Sequence, residues 1–325
     1  MVQELLLEIK NLEINFYTYR GIVKALNGVN LRINKGEFFG LVGETGCGKS
    51  VTASAILNLV QNPGRIEKGE IIFKGKDLLK MDRGEIRENV RGKEITMIMQ
   101  YPIAALNPVV SNGDQISEAL MANTNITKNN AKKRTIELLK EVNIPEPEKI
   151  ARQYPHQLSG GMAQRVMIAM MLSTKPSLLI ADEPTTALDV SIQAQVLNLL
   201  KDLVTKYNTT ILLITHDLSV VAETCDRVGV MYAGDMIEIG QLEQIIKNSK
   251  HPYTKGLIKA IPSETSRQLL EIKGSVPDLV NPPSGCRFHP RCEYAKSICK
   301  KKKPQMLEVE KNHFIACYLY ESQKT

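Results

Sequence analysis

Short apolar runs alternate with polar breaks along the 325 residues of the chain. Residues 5–16 (LLLEIKNLEINF) and 29–33 predict strands, and 36–43 (GEFFGLVG) predicts an apolar strand ending in a glycine-rich loop. A helix is expected directly afterwards, over 49–60 (KSVTASAILNLV), with further strands at 69–74 and 94–99. From about 115 to 173 the periodicity is helical, clearest at 131–142 and 160–173. Residues 177–181 (SLLIA) and 210–214 (TILLI) are short and wholly apolar, as buried parallel strands are, with a helix expected over 190–206 between them. Residues 228–232 and 236–239 predict a hairpin turning at Gly234-Asp235. Past residue 250 prolines and glycines thicken and periodicity fades. The pattern describes an α/β body with a helical insert and an irregular tail, without internal repeats.

Composition narrows the class. With 43% hydrophobic and 24% charged residues the chain is neither disordered nor collagen-like. Its length predicts two domains, or one large domain with an extension. No run of 18 apolar residues occurs, so the chain is not expected to span a membrane. Glu4 and Glu8 lie where an export signal would be basic, so none is expected. The net charge is +7, and residues 251–325 hold 13 Lys and Arg against 7 Asp and Glu, so nearly all of the excess lies in the tail. A nearly neutral body argues against a nucleic-acid stripe. The basic tail suits an anionic group or a solvated face.

Six cysteines divide unevenly. Cys47 and Cys225 are isolated, whereas Cys286, Cys292, Cys299 and Cys317 follow a C-x5-C-x6-C-x17-C spacing. In the reducing compartment expected for such a chain, four clustered thiols suggest a metal site rather than two disulfides.

Residues 43–50 read GETGCGKS, a G-x-x-x-x-G-K-S loop between a strand and a helix. Gly43, Gly46 and Gly48 let the backbone wrap a phosphate, and the exposed N–H groups of Glu44, Thr45 and Cys47 with the helix N-terminus favour an anion. Lys49 would reach the β- and γ-phosphates and Ser50 would hold Mg²⁺. Cys47 reads as a small filler rather than a nucleophile. About 130 residues on, LLIADE delivers Asp182 and Glu183 to the C-terminal end of a strand, the edge where open α/β sheets bind ligands. Asp182 would orient Mg²⁺, and Glu183 would polarise a water for attack on the γ-phosphate. Between these motifs, LSGGMAQR (158–165) opens a helix at Ser159, Gly160 and Gly161. This is a second anion-binding terminus that one nucleotide does not need, so it would serve the nucleotide of another subunit.

With Gln100 after the 94–99 strand, Asp189 in TTALDV and His216 in ILLITHD, residues 5–240 closely resemble the ATPase subunits of ABC transporters. The resemblance implies a P-loop NTPase core with an antiparallel β subdomain and a helical subdomain insert, working as a head-to-tail pair with ATP between one phosphate loop and the partner's signature loop. It further implies that Gln100 senses the metal and attacking water and couples to membrane subunits, that Asp189 bridges the pair, that His216 contacts the γ-phosphate, and that an N-terminal aromatic, Tyr19 or else Tyr17, stacks on adenine. Departures are Met162 where many relatives have Gln, Tyr101 where an acidic residue is usual, and Val51 after Ser50 where Thr is common.

ALNPVVSNGDQISE (105–118), LSGGMAQRVMIAM (158–170) and HPYT (251–254) together look like the oligopeptide/dipeptide importer ATPases (the OppD/DppD type), a group with nickel-uptake relatives. HPYT alone reads only as a helix start with Pro252 in its first turn. The expected division is an ATPase domain over 1–250, its helical subdomain about 101–175, and an extension over 251–325. In that group four tail cysteines recur, and the four here occupy matching places. Gaps of five or more suit a [4Fe–4S] cluster better than zinc, which favours closer knuckles, although zinc and free thiols stay open. The nearby Arg287, Arg291, Lys296 and Lys300–Lys303 would stabilise either anionic site, and His289 and His313 read as surface or capping residues. A structural staple is the default role and a redox sensor the sharper one.

The function so implied is ATP hydrolysis powering peptide import from the cytoplasmic face of the membrane. The partners would be transmembrane permease subunits, a sister ATPase or second copy, and indirectly an extracellular substrate-binding protein, with no nucleic acid. Nickel as cargo, or a soluble ABC ATPase outside transport, are the alternatives.

Overall fold

The computed structural model describes residues 4–186, 188–261 and 272–321. In chain order the elements begin β1 (Leu5–Thr18), β2 (Gly21–Asn34), β3 (Phe38–Val42), α1 (Lys49–Ile56), β4 (Gly64–Phe73) and β5 (Lys76–Asp77). There follow α2 (Arg83–Asn89), β6 (Ile95–Ile98), α3 (Pro102–Ala105), α4 (Asn112–Asn123), α5 (Lys128–Glu141), α6 (Pro147–Arg152), α7 (Gly160–Leu172), β7 (Leu178–Asp182), α8 (Val190–Tyr207) and β8 (Thr210–Thr215). The chain ends with α9 (Leu218–Thr224), β9 (Arg227–Tyr232), β10 (Asp235–Gln241), α10 (Leu242–Asn248), α11 (Pro252–Lys259), β11 (Leu307–Glu310) and β12 (His313–Ile315). Contacts divide the chain into two compact units, Met1–Lys80 with Ile214–Thr325, and Met81–Leu213.

The first unit contains an antiparallel sheet in the order β2-β1-β4-β5. Ile9 faces Leu31 on one side and Ile71 on the other, and all three are buried. Inward β-branched residues at alternate positions fix that register, since a slip of one residue would turn them to solvent. The same unit holds β3, all five of whose residues are buried, paired in parallel with β9. β10 lies antiparallel to β9, and the turn between them is Ala233-Gly234, both with positive φ (48° and 85°). Two left-handed residues make the turn whose twist matches a hairpin, one residue earlier than the sequence pattern placed it.

The tail is not wholly irregular. β11 and β12 form a hairpin, and β12 pairs with β10 through Glu238↔Ile315 and Ile239↔Phe314. These strands are too short for periodicity to register. Backbone bonding ties in the Pro-rich stretch as well: the Lys24 N–H donates to the Leu279 carbonyl at 2.9 Å.

In the second unit β6 pairs in parallel with β7. Five α-helices, α3–α7, come between those strands in sequence, and α7 is the most buried, with Ala163, Val166, Met167, Ile168, Ala169 and Leu172 inside. Ser111 caps α4 by accepting from the Asp114 N–H, and Ser159 caps α7 by accepting from the Met162 N–H at 3.4 Å. α1 stops at Ile56, four residues short of the expected end, where Asn58 turns left-handed.

Candidate nucleotide site and cysteine knuckle

The phosphate loop leaves β3 at Gly43 and enters α1 at Lys49, all within the first unit. A side chain at Gly43 would collide with the Met231 carbonyl and with the Cys47 sulfur, so only glycine fits against β9. Gly46 and Gly48 have φ of 82° and 106°. Lys49 is 5% exposed, and its ammonium donates to the carbonyls of Gly43 (2.7 Å) and Glu44 (3.2 Å). Those bonds hold the cation against the loop backbone, while the expected free N–H groups are corrected: that of Cys47 donates to the Glu44 carbonyl at 3.2 Å and that of Glu44 is also taken. Thr45, Gly46 and Ser50 are exposed, Val51 is half-buried, and Ser50 presents its hydroxyl from the first turn of α1. Cys47 is buried, and burial pushes its thiol above the ordinary range, in keeping with a filler.

Two residues read from the sequence in other roles, Tyr253 of HPYT and Arg291, brace this loop. The Glu44 N–H donates to the Tyr253 hydroxyl at 3.0 Å. The Glu44 carboxylate accepts a forked pair from Arg291, with Nη1 to Oε2 at 2.7 Å and Nη2 to Oε1 at 3.2 Å. The Tyr253 ring is wholly buried and stacks edge-on against Tyr232 (4.7 Å between centroids) and Phe288 (5.4 Å). HPYT therefore does more than start a helix. His251 Nδ1 accepts from the Tyr253 N–H at 3.1 Å, capping α11, and the His251 N–H donates to buried Glu238. No sequence signal pairs positions 247 residues apart, so Arg291 was not foreseeable as a partner of Glu44.

Tyr19 lies at the β1–β2 turn and is 93% exposed, flanked by the Arg20 guanidinium. Tyr17 is engaged with Glu67 (2.8 Å) and Arg65. Each ring thus carries an arginine over one face, and Tyr19 is the more exposed of the two. His216 follows β8 directly and is exposed, and Asp217 caps α9 behind it.

The second unit holds the remaining candidates. Asp182 ends β7 and is 8% exposed. At Glu183 φ is +48°, so the chain turns sharply and the two carboxylates diverge. Gln100 Nε2 and Thr186 Oγ1 each donate to Glu183 Oε2 at 2.9 Å. Asp189 is the exposed N-cap residue of α8, and Ser159 and Gly160 are exposed at the start of α7. Gly161 lies against Ile192, whose Cγ2 would be 2.9 Å from any added side chain. Tyr101, 59% exposed, precedes α3.

The four tail cysteines line one small pocket. Burial pushes the Cys286 thiol up to about 12 and the Cys317 thiol up to about 11, with the neighbouring cysteines adding to both, and Cys292 is raised in the same way. Among the described residues no three His, Cys, Asp or Glu side chains could hold a single metal ion. The expected cationic surround is also corrected. Arg291 serves Glu44, Arg287 donates to the carbonyls of Lys24 and Ala233, and Lys303 pairs with Asp235 at 2.6 Å. Lys296 eases the Cys317 thiol slightly against its burial. His313 is not a surface residue but wholly buried, with Nε2 2.8 Å from Glu238 Oε1. His289 Nδ1 lies 2.9 Å from the Cys286 carbonyl.

The sequence profile of the family described as "ABC transporter" matches residues 26–186, and that described as "Oligopeptide/dipeptide transporter, C-terminal region" matches residues 237–299. The oligopeptide transport ATP-binding protein OppD of Bacillus subtilis is 51% identical over 97% of this chain and 88% of its own length. The dipeptide transport ATP-binding protein DppD of the same organism is 45% identical over 98% of this chain and 96% of its own. Among solved structures, an ATP-binding cassette captured as a dimer in a post-hydrolysis state with ADP and Pi superposes with a TM-score of 0.66, at 28% identity over 73% of this chain and 99% of that one. A phosphate loop built around Lys49, a carboxylate pair at the end of β7 and a signature loop opening α7, on a sequence this similar along its whole length, place the chain in the family of ABC transporter ATP-binding subunits of the oligopeptide/dipeptide type.

Proposed function

We propose that the chain binds and hydrolyses ATP as one of two paired ATPase subunits that drive a peptide ABC importer. The observation carrying this reading is the phosphate loop, with the Lys49 ammonium held inside it, on a chain so similar to peptide transport ATP-binding proteins. Residues 1–250 form the ATPase domain, with its helical subdomain at about 101–175, and residues 251–325 the extension.

Lys49 and the N–H groups of residues 43–51 bind the phosphates, and Tyr19 stacks on adenine. Glu183 takes a proton from water as its oxygen attacks the γ-phosphorus and the bond to the ADP oxygen breaks. The hydrogen bond from Gln100 fixes the Glu183 carboxylate, and His216 contacts the γ-phosphate. The partner's signature loop, equivalent to Ser159, Gly160 and Gly161, closes over the nucleotide, with Asp189 bridging the pair. The Ser50 hydroxyl, the Asp182 carboxylate and the Gln100 amide would each offer Mg²⁺ an oxygen ligand, and the ion would neutralise charge developing on the phosphates.

No helix among the described residues is long and apolar enough to cross a membrane. The chain works peripherally at the cytoplasmic face, bound to permease subunits and paired with a sister ATPase or a second copy, while an extracellular binding protein delivers the peptide. Cys286, Cys292, Cys299 and Cys317 hold a [4Fe–4S] cluster, which would staple the loop-rich extension. Supporting this, the four thiols line one pocket.

Disrupting the gene and following uptake of labelled dipeptides, longer peptides and nickel tests the assignment. Loss of peptide uptake with nickel uptake intact supports it, loss of nickel uptake alone transfers the cargo to nickel, and loss of neither overturns it. For the cluster, anaerobic purification should yield about four iron and four sulfide per chain with a band near 400 nm. Zinc without colour would replace it.

A further inference from the structure

We infer that Arg291 is a positioning residue of the nucleotide site: its forked ion pair holds and neutralises the Glu44 carboxylate inside the phosphate loop, so the C-terminal extension sets the affinity for ATP. The inference rests on the ATP-binding reading above.

Glu44 is an awkward residue for its place. It lies one position into a loop whose N–H groups and lysine suit an anion, and its own carboxylate would repel a polyphosphate. The structure answers that charge with one group. Arg291 makes two parallel bonds to the carboxylate, the strongest geometry available to such a pair. It is itself held at every nitrogen: Nε donates to the Lys273 carbonyl (3.0 Å), Nη2 to the Ile272 carbonyl (3.1 Å), and Nη1 reaches the Tyr232 hydroxyl at 3.4 Å. The guanidinium side chain is 5% exposed and the Glu44 side chain 30%, so solvent screens the pair only in part. On its other side Glu44 is tied by its N–H to Tyr253 and by its carbonyl to Lys49. Both Tyr253 and Arg291 come from the extension, and their rings and fork meet at Tyr232. Backbone, carboxylate and lysine are thus fixed together by residues that no phosphate-loop motif contains.

The test is equilibrium titration of the full-length chain with a fluorescent ATP analogue in Mg²⁺, beside thermal unfolding. Arg291→Ala leaves a bare carboxylate and is expected to weaken binding about tenfold or more. Adding Glu44→Gln to Arg291→Ala removes that carboxylate and should restore most of the affinity. A purely structural arginine would not be rescued in this way. Arg291→Lys keeps the charge but not the fork, with an expected loss of about threefold. Should Arg291→Ala not fold, Arg291→Lys with and without Glu44→Gln puts the same question. Wild-type affinity in Arg291→Ala, or a double variant as weak as the single one, overturns the inference. Failure of the wild-type chain to bind the analogue overturns the ATP reading instead.

Discussion

Gln100 Nε2 donates to Glu183 Oε2 at 2.9 Å, tying the end of the β6 segment to the residue after β7. Thr186 supplies a second donor to the same oxygen. Two donors thus hold the carboxylate in place, as the proposed general base requires. Glu183→Gln should keep nucleotide affinity within about twofold and lower kcat by at least about a hundredfold. Phosphate release under single-turnover conditions measures this. Hydrolysis at near wild-type rate would remove Glu183 from the base role.

Gly43 faces the Met231 carbonyl with no room for a methyl group. Gly43→Ala must push the loop off β9, at a cost of about 2–4 kcal/mol. Denaturant unfolding and nucleotide titration should both register the change, the second more strongly.

His251 predicts a pH dependence. Burial depresses it from 6.5 to about 4, so the folded chain carries it neutral. The unfolded chain binds a proton below pH 6.5 that the folded chain refuses until about 4. Stability is therefore fully present above 6.5 and declines as pH falls through that window, by up to about 3 kcal/mol. Glu238, lowered chiefly against its burial by the hydrogen bond from His313, contributes with the same sign. His251→Asn keeps an acceptor for the Tyr253 N–H and should flatten the slope of melting temperature between pH 6.5 and 4. An unchanged slope would move the cause elsewhere.

Arg291 immediately precedes Cys292, and Phe288 separates Cys286 from both. If the four cysteines hold the proposed cluster, its loss should reach the phosphate loop. Cys292→Ser, or iron chelation of the wild type, is expected to weaken nucleotide binding about as far as Arg291→Lys does. Titration of the anaerobic and chelated chains compares them directly. Equal affinities would confine the cluster to its own tail.

Much of the body was readable because its residues announce themselves locally. The wholly apolar 177–181 and 210–214 stretches became β7 and β8, and GETGCGKS lies between β3 and α1. The first eight residues of β2 were missed because Lys24, Asn27 and Gly28 break the apolar alternation there, and pairing with β1 overrides that local weakness. α9 was missed for its shortness, since its seven residues show two turns and rely on the Asp217 cap. The phosphate loop's chemistry was legible, but its bracing was not. Contacts such as Glu44 to Arg291 join distant positions, and neither residue carries a local pattern that names its partner.

The pairing of an early loop with a late arginine also bears on synthesis. Residues 43–50 leave the ribosome long before Tyr253, and Tyr253 before Arg291 and β12. A nascent chain therefore displays the whole phosphate motif while Glu44 still lacks its counter-charge, and the brace forms only when the late segment folds back. Read in time rather than in space, the extension would act as a completion check: the Glu44 brace forms only after Arg291 is made, and a chain released before that carries the motif without it.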